Sequence, residues 1–186
     1  MNLYQRIFHG LLHWQIDTTE PLPDKCIICV APHTSNWDFI MGELYIRSIG
    51  STANFLMKRE WFFWPLGVLL RRIGGVPVVR SRHTSLTDQL AARAAEASEF
   101  HLAVTPEGTR SRVTTWKRGF YFIALKAKLP ILLYGLDYGA RKVVCHRTLI
   151  PSGDVEADMR QIMDYYAQFH ARYPEKFALE EIPATE

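Results

Sequence analysis

Short apolar runs alternate along the chain with longer stretches in which apolar residues recur at helical spacing. The apolar runs predict strands near residues 26–31, 53–57, 76–79, 101–105, 130–135 and 142–149. The stretches with helical spacing predict helices near residues 37–49, 59–72, 85–98, 117–128 and 155–171. Strands that alternate with helices are typical of parallel strands joined by crossover helices. The pattern therefore predicts the α/β class, with a mostly parallel central sheet flanked by helices.

No repeat, low-complexity linker or break in composition divides the 186 residues, of which 48% are hydrophobic. A chain of this length can bury a sizeable core as one unit. We therefore expect one domain over residues 1–186, with its functional motifs in a core over 26–136. An amphipathic C-terminal helical segment, 155–173, is expected to pack on the sheet.

Two segments carry apolar surface that suits a lipid interface. Residues 61–70 contain four aromatic side chains and no charge, and Arg71 follows them. A bilayer span needs about 20 apolar residues, so this segment would lie at the headgroup level; a core helix kinked at proline is an equal alternative. A second interfacial helix is predicted over residues 1–16, from the helical spacing of Leu3, Ile7, Leu11 and Trp14. We expect peripheral or monotopic attachment to the cytoplasmic side of a membrane.

A histidine and an aspartate five positions apart, His33 and Asp38, follow the first apolar run. Residues 34–36, Thr-Ser-Asn, can cap a helix that starts near Trp37, which puts Asp38 in its first turn. There the carboxylate can accept the Nδ1 proton of His33 and leave Nε2 free to take a proton from an alcohol. Taken alone, such a pair is more often a polar contact within a loop.

A second polar segment, residues 105–112, follows another apolar run and has the sequence Thr-Pro-Glu-Gly-Thr-Arg-Ser-Arg. Gly108 allows close approach of the backbone to a ligand, Thr109 offers a hydroxyl, and the planar guanidinium of Arg110 can grip a phosphate. An ordinary turn with a surface ion pair is the alternative for this segment in isolation. Because both polar segments follow strands, they are expected at the carboxyl edge of the sheet, where α/β proteins bind ligands.

Charge and cysteine content narrow the class of ligand. The net charge is only +3, but basic residues cluster around residues 71–82 and 110–118, which suits a polyanionic substrate or an acidic membrane surface. No nucleic-acid-binding module accompanies them, so nucleic acid is not an expected partner. The seven histidines are scattered without a ligand pattern, so no metal site is predicted. Three cysteines and no secretory signal pattern fit a reducing compartment.

Four sequence blocks in order resemble the glycerolipid acyltransferase superfamily, of the type represented by 1-acyl-sn-glycerol-3-phosphate acyltransferase. His33 and Asp38 match the first block, residues 74–80 (Gly to Arg) the second, residues 106–110 (Pro-Glu-Gly-Thr-Arg) the third and residues 130–131 (Pro-Ile) the fourth. The resemblance covers about residues 26–136 and is more specific than any single block. The chain departs from the usual pattern at Pro32, Pro77, Thr105, Leu132 and Leu133.

The resemblance implies transfer of a fatty acyl group from acyl-CoA or acyl carrier protein to a hydroxyl of a lysophospholipid-like acceptor, such as 1-acyl-glycerol-3-phosphate, in phospholipid biosynthesis. His33 would be the general base and Asp38 its orienting partner. Arg80, Glu107, Gly108, Thr109 and Arg110 would bind the acceptor phosphate. It implies no cofactor beyond the thioester substrate.

Two alternatives stay open at this point. The chain could be a noncatalytic lipid- or phosphate-binding relative that keeps the fold and the basic crevice. It could also be an acyltransferase that acts on a different hydroxyl- or amine-bearing lipid. A binding protein has no use for an oriented base, so the presence of His33 and Asp38 beside Glu107 and Arg110 favours an enzyme.

Overall fold

Five parallel strands form the centre of the sheet in the computed structural model, which describes residues 2–78 and 85–182. They are β2 (Lys25–Ala31), β3 (Asn54–Lys58), β4 (Gly75–Val78), β5 (Phe100–Val104) and β6 (Ile131–Asp137). Three further strands run in the opposite direction: β1 (Gln15–Thr18), β7 (Lys142–Cys145) and β8 (Thr148–Leu149). The strand order is β1-β7-β6-β2-β5-β3-β4, with β8 also paired to β6.

Six α-helices connect or flank these strands in the described residues. They are α1 (Leu3–Gln5), α2 (Asn36–Ser48), α3 (Leu66–Arg72), α4 (Leu86–Glu96), α5 (Gly119–Ala127) and α6 (Val155–Tyr166). A π-helical segment, Arg6–Leu11, continues α1, and 3-10 turns cover Arg59–Trp61 and Pro174–Lys176. Side-chain caps define several helix starts: Ser35 caps α2, Ser85 caps α4 and Asp154 caps α6.

The sheet buries both of its faces, as parallel sheets do. Alternate residues of β2 point to opposite sides, so Cys26 and Ile28 pack with α2 while Ile27 and Cys29 pack with α4, α5 and α6. Phe8 and Trp14 from the N-terminal segment complete the core on the α2 side. The two layers of helices therefore enclose a continuous apolar strand region, and the predicted α/β class with a mostly parallel sheet is confirmed.

The boundaries differ from the sequence expectations in several places. β1 was not expected, because a four-residue edge strand leaves little pattern. The helix expected over 59–72 is a 3-10 turn and then α3, with Pro65 at the helix start. The N-terminal helical region ends at residue 11, and Trp14, expected on its interfacial face, is buried. The C-terminal helix ends at residue 166, before the expected ends at residues 171 and 173.

The sheet order explains why distant segments meet. β2 lies between β5 and β6 and is parallel to both, with Cys29 opposite Val104 and Ala31 opposite Gly135. The three strands therefore end at the same edge of the sheet. The segments that leave these ends contain His33, the turn at residues 105–112, and Tyr138.

Candidate active site

His33 lies in the short connection between β2 and α2, after a cis peptide bond at Pro32. Ser35 is the N-cap of α2: its backbone is extended, and its hydroxyl oxygen accepts a hydrogen bond from the amide of Trp37 at 3.1 Å. The cap satisfies one of the amides that have no partner within the first helical turn. The predicted helix start is thus confirmed, and Asp38 lies in the first turn of α2.

Asp38 is buried, and both oxygens of its carboxylate accept hydrogen bonds. Oδ2 accepts from the backbone amides of Thr34 and Ser35, each at 2.7 Å. Oδ1 accepts from the hydroxyl of Tyr138 at 2.6 Å. Three donors compensate the carboxylate for its lost hydration and hold it in one orientation.

The imidazole of His33 lies against this carboxylate, with Nδ1 3.3 Å from Oδ2 of Asp38. That distance is short enough for an ion pair, but Nδ1 does not make an aligned hydrogen bond. Such contacts are often loose in an unliganded active site and tighten when substrate binds. A neutral ring with its proton on Nδ1 would direct that proton at the carboxylate and leave Nε2 as the basic nitrogen.

Glu107 supports the histidine loop, residues 32–38, which comprise the connection after β2 and the first turn of α2. Its side chain is 5% exposed, and Oε2 accepts a hydrogen bond from the backbone amide of His33 at 2.8 Å. Burial raises the pKa of Glu107 to about 8; the His33 amide opposes that shift, and the negative charge of Asp38 adds to it. Within the described part of the chain, Oε1 of Glu107 and Nδ1 of His33 are the two buried side-chain polar atoms without a hydrogen-bond partner.

Arg110 joins the turn after β5 to the histidine loop, because its Nη1 donates a hydrogen bond to Oδ1 of Asn36. Gly108 in the same turn has a φ of 68°, a conformation that few residues with a Cβ adopt. A Cβ there would also lie 3.2 Å from Cγ of Lys117. Glycine therefore lets the turn pass close to the side chain of Lys117.

A cavity of about 720 Å³ opens where these segments meet. His33, Asp38, Gly108, Arg110 and Lys117 contribute its polar wall. The rest of the wall is mainly apolar and comes from the sheet and from helices α2 and α5, with Ile28, Val30, Phe39, Phe55, Ala103 and Ile123 among its residues. The proposed base and the guanidinium thus face one cavity with an apolar interior.

The other predicted site residues have different positions. Glu107 is not part of the cavity wall, and Thr109 is exposed in the turn, where its hydroxyl accepts a hydrogen bond from the amide of Ser111 at 3.3 Å. Arg80 lies outside the described residues. Contact of Glu107, Thr109 and Arg80 with an acceptor phosphate stays a prediction.

Sequence reasoning missed three side chains that shape this site: Asn36, Lys117 and Tyr138. The sequence indicates Asn36 only as a cap residue and Lys117 only as one member of a basic cluster. Tyr138 gave no signal, because its contact with Asp38 spans 100 positions and depends on β6 lying next to β2.

The cysteines are poor candidates for a covalent nucleophile. Cys26, Cys29 and Cys145 are buried, and burial raises the pKa of each thiol to about 12. A thiol that stays protonated is a weak nucleophile. Within residues 2–78 and 85–182, no three histidine, cysteine or acidic side chains are grouped so that they could hold a metal ion.

The comparisons with known proteins support the superfamily that the four blocks indicate. The family model described as Acyltransferase matches residues 13–134. Two curated relatives are the 1-acyl-sn-glycerol-3-phosphate acyltransferases of Limnanthes alba and Limnanthes douglasii. Each is 30% identical over 145 residues, which cover 70% of this chain and 50% of the relative. The chain spans about half the length of the curated relatives it matches.

Proposed function

This chain belongs to the glycerolipid acyltransferase superfamily, and we propose that it transfers a fatty acyl group from a thioester to a hydroxyl of a lysophospholipid-like acceptor. The observation that carries the proposal is that His33 and Arg110 line the same cavity. A base and a phosphate-binding cation on one cavity suit a substrate that has both an alcohol and a phosphate. The acceptor named by the relatives, 1-acyl-sn-glycerol-3-phosphate, is such a substrate.

In the proposed reaction, Nε2 of His33 takes the proton of the acceptor hydroxyl as its oxygen attacks the thioester carbonyl carbon. The tetrahedral adduct then expels the thiolate, which takes the proton back from the imidazolium, so that an ester and a free thiol result. Asp38 stabilises the imidazolium between these steps and keeps the ring in the required tautomer. Positioned base catalysis of this kind contributes about 10²- to 10⁴-fold in rate.

The acceptor phosphate would bind to Arg110 and Lys117. Both are exposed at the polar wall of the cavity, and their charges are complementary to a phosphate. The absence of a side chain at Gly108 lets the Lys117 side chain pass close to the turn. Glu107 contributes indirectly in this scheme, by holding the backbone of His33.

The acyl chain would occupy the apolar part of the cavity. This wall includes Phe39 of α2 and Phe55 of β3, whose rings pack edge to face with centroids 4.8 Å apart. Apolar surface of this kind favours a hydrocarbon chain over a polar donor or acceptor group. Coenzyme A or acyl carrier protein would carry the acyl group as its thioester, and both belong in the assay.

The proposed location is the cytoplasmic face of a membrane. β3 forms part of the cavity wall and is followed, through the 3-10 turn Arg59–Trp61, by the aromatic segment of residues 61–70. Trp61, Phe63 and Trp64 of this segment are exposed by 54%, 57% and 83%. Exposed arginines lie on both sides of this segment, at positions 59 and 71–72. Aromatic side chains flanked by cations suit an anionic lipid interface. In the described residues, no helix is both long and apolar enough to cross a bilayer.

A panel assay tests the proposal. The purified protein is given palmitoyl-coenzyme A or palmitoyl carrier protein together with lysophosphatidate, lysophosphatidylethanolamine or lysophosphatidylcholine, and the products are identified by mass spectrometry. We expect diacylated product from lysophosphatidate with at least one thioester, and its rate of formation should fall about 10²-fold or more with His33→Ala. A protein that binds lysophosphatidate but forms no acylated lipid with either donor would be a noncatalytic relative and would contradict the proposal.

A further inference from the structure

The carboxylate of Asp38 is held from two directions, and one of them lies outside the four sequence blocks. Backbone amides of its own loop hold Oδ2, whereas the hydroxyl of Tyr138 holds Oδ1 at 2.6 Å. Tyr138 follows β6 and lies beyond residues 13–134, which match the family model. Neither the blocks nor the comparisons assign it a role.

The hydrogen bond from Tyr138 restricts the rotation of the carboxylate. Two amides that donate to Oδ2 alone leave the carboxylate free to rotate about the bond between Cβ and Cγ, because this torsion is soft in aspartate. A donor on the other oxygen removes that freedom. Since Nδ1 of His33 approaches the same Oδ2 at 3.3 Å, the rotation of Asp38 decides whether the ring proton can find its acceptor.

The direction of this hydrogen bond is settled by chemistry. Burial, reinforced by the adjacent Asp38 carboxylate, keeps the pKa of Tyr138 well above its usual value, so the phenol stays protonated and donates. The Oδ1 atom has no other hydrogen-bond donor among the described residues.

Two side chains from distant segments pack against the ring of Tyr138 and hold its hydroxyl in place. The indole of Trp14 meets it edge to face, with ring centroids 5.0 Å apart. The guanidinium carbon of Arg172 lies 5.7 Å from the centre of the Tyr138 ring and 5.4 Å from that of Trp37. Two segments distant in sequence thus fix a ring that contacts the histidine loop.

We propose that Tyr138 is a positioning residue: it holds Oδ2 of Asp38 toward Nδ1 of His33 and thereby keeps the ring proton on Nδ1. Tyr138 does not contact the substrate in this scheme. Its kinetic consequence rests on the proposed function, but the location of the ring proton is a property of the unliganded protein and can be observed without turnover.

The first test measures that proton directly. Nitrogen-15 NMR of histidine-labelled protein reports the population of the two neutral tautomers, and His33→Gln assigns the His33 signals by their loss. The spectra are recorded at a pH where titration of the same signals shows a neutral ring. We expect His33 of the wild type to carry its proton mainly on Nδ1, and Tyr138→Phe to give a mixture of tautomers.

The second test separates positioning from binding. Tyr138→Phe should lower kcat about 10-fold, the effect of leaving one buried acceptor unpaired, while KM for lysophosphatidate and for the thioester stays within about twofold. Tyr121→Phe is the matched control, because the Tyr121 hydroxyl donates to the buried carboxylate of Asp158 at 2.8 Å, outside the site. Melting temperatures of both variants show that each is folded.

The outcomes distinguish this inference from the proposed function. Unchanged His33 tautomers and an unchanged kcat in Tyr138→Phe would overturn the inference, as would an equal loss of kcat in Tyr121→Phe. A wild-type protein that transfers no acyl group, but whose His33 tautomers respond to Tyr138→Phe, would support the inference and overturn the proposed function.

Discussion

The carboxyl group of Glu107 accepts a hydrogen bond from the backbone amide of His33, with 2.8 Å between Oε2 and N. The contact joins two sequence motifs that lie 74 positions apart. The turn after β5 therefore has two functions in the structure. The buried side chain of Glu107 holds the backbone of His33, and Arg110 lines the cavity. The two motifs therefore form one unit, and a change in either is expected to affect both.

The first prediction concerns the pH dependence of stability. The pKa of Glu107 is raised to about 8 in the folded chain from 4.5 as a free side chain, so the folded state binds the proton more tightly than the unfolded state does. The stabilisation from this protonation is complete below the unfolded pKa and is lost as the pH rises through the folded value. The free energy of unfolding should thus fall between pH 5 and 8, by on the order of 1 kcal/mol per pH unit from this group.

Glu107→Gln isolates that contribution, because the amide keeps the shape and the acceptor for the His33 amide but does not titrate in this range. We expect the free energy of unfolding of the variant, minus that of the wild type, to increase from pH 5 to pH 8. Urea denaturation at several pH values measures it, and the other titrating groups cancel in the difference. Parallel curves for the two proteins would show that Glu107 titrates normally.

The base is tested by removing His33. His33→Ala should lower kcat by about 10²-fold or more, because positioned base catalysis contributes that much, whereas binding of lysophosphatidate should change little. His146→Ala is a matched control: His146 also pairs with an aspartate, Asp17, at 2.8 Å, but this pair is exposed and lies at β1 and β7. A kcat of His33→Ala equal to that of the wild type would mean that the proton is removed by another group.

The sequence predicts local relationships in this protein well and distant ones poorly. Ser35 and Asp38 could be placed correctly because a helix cap and its first turn involve neighbouring residues. The presence of Glu107 in the site region was also predictable, but its orientation was not, since whether a polar turn residue points into a cavity or under a loop depends on the strand beside it. Tyr138 depends on the order of strands in the sheet, which the apolar pattern does not specify.

The same distinction applies at the N-terminus. Leu3 and Leu11 are exposed by 66% and 71%, as expected for an interfacial surface, but Trp14 packs against Tyr138 in the core. Helical spacing in the sequence placed all three on one face. The chain instead leaves the helix after residue 11 and enters β1, so the indole points inward.

Arg110→Ala should chiefly weaken the acceptor. We expect KM for lysophosphatidate to rise about 10- to 100-fold with a smaller effect on kcat, the range for loss of a charge-assisted contact to a phosphate. Arg112→Ala is the control, since Arg112 is a neighbouring exposed arginine whose guanidinium donates to the carbonyl of Phe177. A lysolipid alcohol without phosphate should respond equally to both variants. An unchanged KM for lysophosphatidate in Arg110→Ala would remove this residue from the phosphate site.

The exposed aromatic segment predicts lipid binding that depends on both apolar side chains and charge. Replacing Phe63 and Trp64 together by serine should weaken binding to vesicles of phosphatidylglycerol and phosphatidylcholine about tenfold or more, because these rings would insert at the headgroup level. Ile150→Ser is the control, as Ile150 is 69% exposed but follows β8, at a distance in sequence from the segment. Vesicle sedimentation measures the bound fraction. Equal vesicle binding by the wild type and the Phe63/Trp64 variant would exclude this segment as the lipid contact and leave the exposed leucines of the N-terminal helix as the candidate surface.

The arginines after this segment predict that binding also depends on the charge of the lipid. Arg71→Gln combined with Arg72→Gln should weaken binding to the anionic vesicles in the same sedimentation assay. The double substitution should have little effect with pure phosphatidylcholine, since only the anionic vesicles attract the cations.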